Sequence, residues 1–407
     1  MAKIQLRPLV RASGGPRYAV ALVVDALGTG LLRPFLLLYG VAVLKLSAPV
    51  AGLAMTGGIV VGLVCMPAVG RWLDRGARST VVAASMLVRV VGVGLLLAAN
   101  AQQVWVFAAA ALFLGIGNQA WPAAHAALVA AVAHGRERDA ALAAGRSLRN
   151  AGVGAGALVA TACLAGGTSA LHAMAAVTGL AYLVAAALAW SVHVDVPAAR
   201  SQAVGPAPKM GVLLAVNVVY VFCLNVPEIA IPLILVTQLH ESPAWAAAVL
   251  VANTVLVVAL QVPVTILMSR FSRRPALVVA GVVLAASYVG FLAATALGHG
   301  WRAPAVGVVS VVCTLGEIIY AGSATALVTA LAPPRLLGRA LSRFQLSTGF
   351  SLAVSPAIIT TLAARSEVTL WVPLTVATLL AAARLRVSPP ESDARSVAGS
   401  ARSLRRS

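Results

Sequence analysis

Acidic residues are scarce in this chain. Asp and Glu together number 11 in 407 residues against 30 Lys and Arg, and charged residues of all types make up only 10% of the sequence. A soluble globular chain carries roughly 25% charged residues, so a water-soluble enzyme or scaffold is excluded on composition. Only four cysteines occur, and Cys65, Cys163, Cys223 and Cys313 all lie inside apolar runs, where they act as small hydrophobes rather than disulfide partners or ligands. No phosphate-cradling GxxxxGK loop, no His/Cys cluster with metal spacing and no closely spaced carboxylate pair inside the apolar runs is found. ATP-driven transport and intramembrane catalysis therefore lack their chemistry, and neither a cofactor nor a metal is expected.

Apolar residues fill the sequence instead: 60% are hydrophobic and the mean hydropathy is +0.95. A bilayer core about 30 Å thick takes roughly 20 apolar residues per helical span, so the chain is long enough for about a dozen spans joined by short loops. The apolar runs predict helices over 17–43, 47–70, 79–99, 103–131, 141–166 and 170–193, then 210–238, 243–268, 275–297, 304–331, 337–363 and 369–385. The expected fold is an all-α membrane protein of twelve transmembrane helices.

The net charge of +19 is distributed along this pattern rather than gathered on one basic face, which argues against nucleic acid as a partner. Lys3, Arg7, Arg11 and Arg17 precede the first helix, Arg71, Arg75 and Arg78 follow the second, and Arg136 and Arg138 follow the fourth. Arg200 and Lys209 follow the sixth, Arg270, Arg273 and Arg274 the eighth, Arg335, Arg339 and Arg343 the tenth, and Arg384 to Arg406 the twelfth. The opposite loops hold only Lys45, Arg302 and Arg365. The positive-inside rule then puts both termini in the cytoplasm, in agreement with an even number of crossings. The first apolar run is long enough to span and has no small-residue cleavage site, so it reads as a retained helix. With 27 arginines against three lysines and abundant alanine, the chain reads as the product of a GC-rich bacterial gene, and the inner membrane is the expected address.

The chain also divides in two. "MPAVGRWLDRGARSTVVAA" (66–84) lies over "VPVTILMSRFSRRPALVVA" (262–280), matching Pro67 with Pro263 and Arg78 with Arg274, each after the second helix of a six-helix half. Between the halves runs "HVDVPAARSQAVGPAPKM", a polar, Pro-rich stretch. The expected organisation is a bundle over 1–193, a cytoplasmic linker over 194–209, a second bundle over 210–386 and a disordered basic tail over 387–407. Two related six-helix bundles around a central cavity are the plan of alternating-access transporters.

The densest charge in the first half is "GRWLDRGAR", residues 70–78. A carboxylate at Asp74, at the end of the second helix, can accept hydrogen bonds from the exposed amides of a facing helix N-terminus, and the helix opening near Leu337 and Gly338 is the candidate. The stretch resembles the loop between helices 2 and 3 of the major facilitator superfamily: Gly, three residues, Asp, Arg or Lys, one residue, Gly, one residue, two basic residues. Gly70, Asp74 and Arg75 match and Arg78 falls at or beside the basic positions, while Gly76 is one place early, Ala77 takes the usual glycine and Ser79 replaces a basic residue. The resemblance implies a gate that closes the cytoplasmic side and breaks on inward opening. "DALGTGLLRPFLLLY" (25–39), "LGIGNQAWPAAHAALVA", "GRSLRNAGVGAGALV" and residues 315–349 are similar to helices 1, 4, 5 and 10–11 of bacterial twelve-helix drug:proton antiporters. The arginine that many of those exporters carry one turn before the helix 4 glycines is missing here, with Ala111 near its place.

Charges inside helices are the informative residues, since each costs about 2.5–3.5 kcal/mol at the bilayer centre unless paired or hydrated. Asp25, Glu317 and Glu228 are the acids, and Arg33, Arg89 and Arg149 the bases. Asp25 and Arg33 stand eight residues apart, about 80° around the helix and 12 Å along it, so any partner of Asp25 comes from another helix. Asp25 is the first choice as proton carrier, with Arg33 and Arg89 as switching partners; the alternative is a permanent structural ion pair. Glu317 follows, on a polar face with Ser310, Thr314 and Tyr320 that contacts either substrate or a neighbouring helix. Asn118, Trp121 and His125 form a similar face, and Asn217 and Asn225 complete the expected cavity. Glu228 ranks third, towards the outer mouth. The resulting expectation is a monomeric transporter, not an enzyme, that exports a small hydrophobic or amphipathic compound by proton antiport through a cavity walled mostly by Ala, Val and Leu. The alternative is proton-coupled import of a sugar or organic acid, against which stands an aromatic content of 5%.

Overall fold

The computed structural model describes residues 13–76, 78–192, 210–298 and 300–387. The expected linker over 194–209 and, beyond Val387, the expected tail lie outside the described residues. Among the described residues the chain is helical throughout, in twelve long helices.

The first, α1, runs Pro16–Leu32 and continues through a tighter turn at Arg33–Phe35 and a wide turn at Tyr39–Val43. Then come α2 (Ala48–Asp74), α3 (Arg78–Ala98), α4 (Val104–Val132), α5 (Gly135–Cys163) and α6 (Gly167–Trp190). The second set is α7 (Gly211–Asn225, continuing to Gln238), α8 (Pro243–Met268), α9 (Arg273–Thr295), α10 (Arg302–Leu331), α11 (Leu337–Ala363) and α12 (Glu367–Val387). Irregular turns fall in the distal parts of α1 and α7, beside Pro34 and beside Pro227 and Pro232. Proline supplies no amide to the helical ladder, and a wide or tight turn absorbs the missing bond.

Among the described residues, eleven helices are long and apolar enough to cross a membrane; α5 is the long helix outside that set. Its first turns carry Arg136, Glu137, Arg138 and Asp139, and Arg146 and Arg149 follow. The expected start at residue 141 is corrected to Gly135. Glu137 suits the positive end of a helix, and Arg138 and Asp139 find partners on other helices, so charge does not stop the helix there.

Packing repeats with a shift of six helices. α1 lies on α5 and α6, α2 on α4, and α3 on α4 and α6; correspondingly α7 lies on α11 and α12, α8 on α10, and α9 on α10 and α12. The two sets meet through α2 against α11 and α5 against α8, contacts that exchange with each other under the same shift. The positions where helices press most closely are small. A Cβ on Gly30 would collide with the backbone of Val153, and one on Gly156 would collide with the Leu27 carbonyl. Small residues let backbones approach where lipid supplies no hydrophobic drive for helix association. Here they bring α5 against α1 within two turns of Asp25.

Candidate functional site

Asp25 is completely buried on α1. Its Oδ1 lies 2.6 Å from Arg89 Nη2 of α3, and its Oδ2 accepts from Arg149 Nη1 of α5 at 2.9 Å. Each guanidinium also lies over an aromatic ring: Arg89 is 4.3 Å from the centre of Tyr182 and Arg149 is 4.1 Å from the centre of Trp121. Such contacts hold a cation in place with few further polar partners. Trp121 in turn stacks on His125 at 5.0 Å, and the His125 Nδ1 is 2.9 Å from the Tyr18 hydroxyl. One acid thus organises two cations, one fully buried and one partly exposed.

Arg33 is not a partner of Asp25. It forms no ion pair among the described residues and lines the cavity instead. Both partners come from other helices, the expected Arg89 from α3 and Arg149 from α5.

A cavity of about 530 Å³ opens between the two helix sets, within the range of small-molecule sites. The expectation of an Ala, Val and Leu wall is overturned: more than half of the lining residues are polar or charged, among them Arg33, Arg146, Arg149, Glu228 and Glu317. The reason is that hydrocarbon tolerates no free charge, so the intramembrane charges gather where water reaches. Arg149 belongs both to this wall and to the Asp25 cluster.

Glu317 sits on α10 with its Oε2 accepting from Asn253 Nδ2 of α8 at 3.2 Å and its Oε1 3.7 Å from Arg146 Nη2 of α5. Asn253 also donates to Thr314 Oγ1 at 3.0 Å. Asn217 of α7, near the place related to Asp25 by the repeat, has neutral partners: it donates to Ser347 and Thr348 of α11, both at 2.8 Å, and accepts from the Tyr320 hydroxyl at 2.7 Å. An acid bonded to α5 in one half is answered by an amide bonded to α11 in the other.

Of the expected cavity residues, Asn225 lines the cavity and donates to Ser355. Asn118, Trp121, His125, Asn217, Thr314 and Tyr320 are not part of the lining; they lie behind it, most of them buried and engaged with neighbouring helices. Sequence reading passed over Arg146, Asn253, Gln119 and Asn150, all in the wall. Arg146 lies three residues before Arg149, a helical spacing that shares a face, and this was the available signal. Asn253 interrupts the apolar run of α8 without a charge, and a search for charges does not find it.

At one end of the molecule, Asp74 bridges α2 to the start of α11. Its Oδ1 accepts from the Gly338 amide at 2.7 Å and the Arg339 amide at 3.3 Å, and its Oδ2 from Arg339 Nε at 2.9 Å. Glycine is needed on both sides of the contact: a Cβ on Gly70 would lie 3.0 Å from Arg339 Cα, and one on Gly338 would lie 2.8 Å from Asp74 Oδ1. Arg75 is exposed at the end of α2, and Arg78 is buried at the start of α3. A second bridge joins α5 to α9 at the same end, where Asp139 Oδ2 accepts from Arg273 Nη2 at 2.8 Å. Beside it, Arg138 donates to the Thr329 carbonyl of α10 at 3.2 Å. Both bridges tie one helix set to the other at that end.

A family model described as Major Facilitator Superfamily matches residues 18–356, with a second alignment over 213–406. No curated protein matches the sequence. Among solved structures, the chain is similar to a bacterial homologue of the iron transporter ferroportin in an outward-facing state, at TM-score 0.74 and 12% identity over 91% of this chain and 97% of that one. It is similar to the human organic anion transporter MFSD10, at TM-score 0.70 and 13% identity over 91% and 98%. Similarity extends to the E. coli fucose:proton symporter, at TM-score 0.70 and 14% identity over 92% and 98%.

Proposed function

The chain belongs to the major facilitator superfamily, a family of secondary transporters, and from that premise we propose that it exports a small amphipathic compound by proton antiport through alternating access. The observation that carries this reading is the double engagement of Arg149, which binds the buried Asp25 and forms part of the cavity wall. When Asp25 is ionised it holds Arg149; when it takes up a proton it releases that hold, and the cation becomes available to the cavity. A proton on Asp25 thus adds an uncompensated cation to the cavity wall, which opposes the cationic end of a substrate, and this negative coupling through one shared guanidinium is what antiport requires. In this reading both termini are cytoplasmic, the end closed by Asp74 faces the cytoplasm, and the conformation is open outward. The protein works as a monomer in the bacterial inner membrane, with lipid, protons and a small molecule as its partners.

The test is accumulation of a compound panel in cells lacking their own exporters, comparing the protein with Asp25→Asn, with and without a protonophore. Lower accumulation that needs both Asp25 and the proton gradient is the expected result. Export unchanged by Asp25→Asn removes this residue as proton carrier and moves the role to Glu317, with Glu228 behind it.

A second reading is import of a polar nutrient such as a sugar or organic acid. The polar and charged cavity wall favours it. Increased uptake of a polar solute in the same cells would establish it over export.

A further inference from the structure

The charges on the cavity wall are sorted by sign. The cations Arg33, Arg146 and Arg149 come from α1 and α5, in the first helix set, and the anions Glu228 and Glu317 come from α7 and α10, in the second. Arg149 is committed to Asp25, which leaves two cations facing two anions across the space between the sets. Arg33 and Glu228 are exposed to that space and face each other within electrostatic range, without closing to an ion pair among the described residues. Arg146 and Glu317 do meet, but at 3.7 Å and with the arginine side chain one-third exposed, a separation beyond hydrogen-bonding distance.

We propose that the transported compound is a zwitterion, its anionic end bound by Arg33 and Arg146 and its cationic end by Glu228 and Glu317. A ligand carrying only an anion would neutralise the arginines and leave two carboxylates facing it as the cavity dries. A ligand carrying only a cation would leave the arginines uncompensated. A neutral ligand would satisfy neither. Removing unpaired charges from water is unfavourable in each case, whereas a zwitterion compensates both walls at once. The loose Arg146–Glu317 contact is what the two walls make with each other without a ligand, and a zwitterion replaces it with two tighter bonds. Asn253 keeps Glu317 aimed at the site by bonding its other oxygen. Because the two ends of such a ligand bind different helix sets, its binding draws the sets together, the motion alternating access requires.

This inference rests on the transporter reading above, so the experiment separates the two. Thermal stability of the purified full chain is measured with ω-amino acids of 4 to 12 carbons, with alkanoates and alkylamines of matched length, and with acid and amine mixed. The expected result is a length optimum at which the zwitterion stabilises while the acid, the amine and their mixture do not. In Arg33→Gln and in Glu228→Gln, each with unliganded stability unchanged, apparent affinity for that zwitterion falls about tenfold or more. Equal stabilisation by the acid or the amine alone, or none by any zwitterion, overturns the proposal. Counterflow of the zwitterion in proteoliposomes is the second readout. Binding without counterflow sinks the transport reading and leaves the charge pairing standing, whereas counterflow indifferent to both variants sinks the pairing and leaves transport standing.

Discussion

Arg149 stands between Asp25 and the cavity, donating to the buried carboxylate at 2.9 Å while its own side chain keeps part of its surface open to the cavity. Arg89 holds the other oxygen from a site with no exposure at all. The two arginines therefore differ in what the loss of Asp25 does to them.

Asp25→Ala leaves Arg89 charged, buried and without its carboxylate. Removing one partner of a buried pair costs about 3–5 kcal/mol, and replacing both members by apolar side chains recovers much of that. The expected order of thermal stability is the unaltered protein above Asp25→Ala/Arg89→Met, with Asp25→Ala lowest. A double variant no more stable than the single one would show that Arg89 finds another counter-charge.

Asn217 makes three side-chain hydrogen bonds within α7, α10 and α11. Asn217→Leu leaves the Tyr320 hydroxyl without its acceptor, at a cost of about 1–3 kcal/mol. The expected outcome is lower stability with protonophore sensitivity of transport retained, since no titrating group is removed. Loss of that sensitivity would place Asn217 on the coupling path.

Gly30→Ala forces α1 and α5 apart, because the added methyl collides with the Val153 backbone rather than with a side chain that can move. Overpacking of this kind costs about 1–3 kcal/mol. Gly52 on α2 has nothing within 4 Å of such a methyl, so Gly52→Ala is the matched control and is expected to be neutral or slightly stabilising. Equal thermal stability of the two variants would count against close α1–α5 packing.

How the site was and was not readable follows from these residues. Helix number and the Asp74–Gly338 contact were legible, because a bilayer fixes span length and a carboxylate at a helix end has few good partners other than a facing helix start. The partner of Asp25 was not. Eight residues of spacing says that Arg33 and Asp25 do not touch, but which distant arginine arrives depends on the α1–α5 approach set by Gly30 and Gly156. The character of the cavity was misread for a related reason: composition averages over lipid-facing and water-facing sides, and most Ala, Val and Leu side chains serve the former. Arg146 and Asn253 became visible only once α5, α8 and α10 were placed together.

The two bridges between the helix sets give the last prediction. Asp74–Arg339 joins α2 to α11 and Asp139–Arg273 joins α5 to α9, so the first half contributes the acid to both bridges and the second half the arginine. Charge-assisted hydrogen bonds are each worth about 1.5–3 kcal/mol, and about 1.4 kcal/mol changes an equilibrium tenfold. Asp74→Asn or Arg273→Gln alone should raise opening at this end about tenfold or more. Together the effects should multiply if the bridges break independently, and fall short of multiplying if one opening motion breaks both at once. Ser342 is buried beneath Gly70 at the α2–α11 contact, so Ser342→Cys, in a chain whose four native cysteines are replaced, reports opening through its rate of maleimide labelling. Labelling that stays slow in the double variant would mean that neither bridge closes this end, and that the α2–α11 packing does so alone.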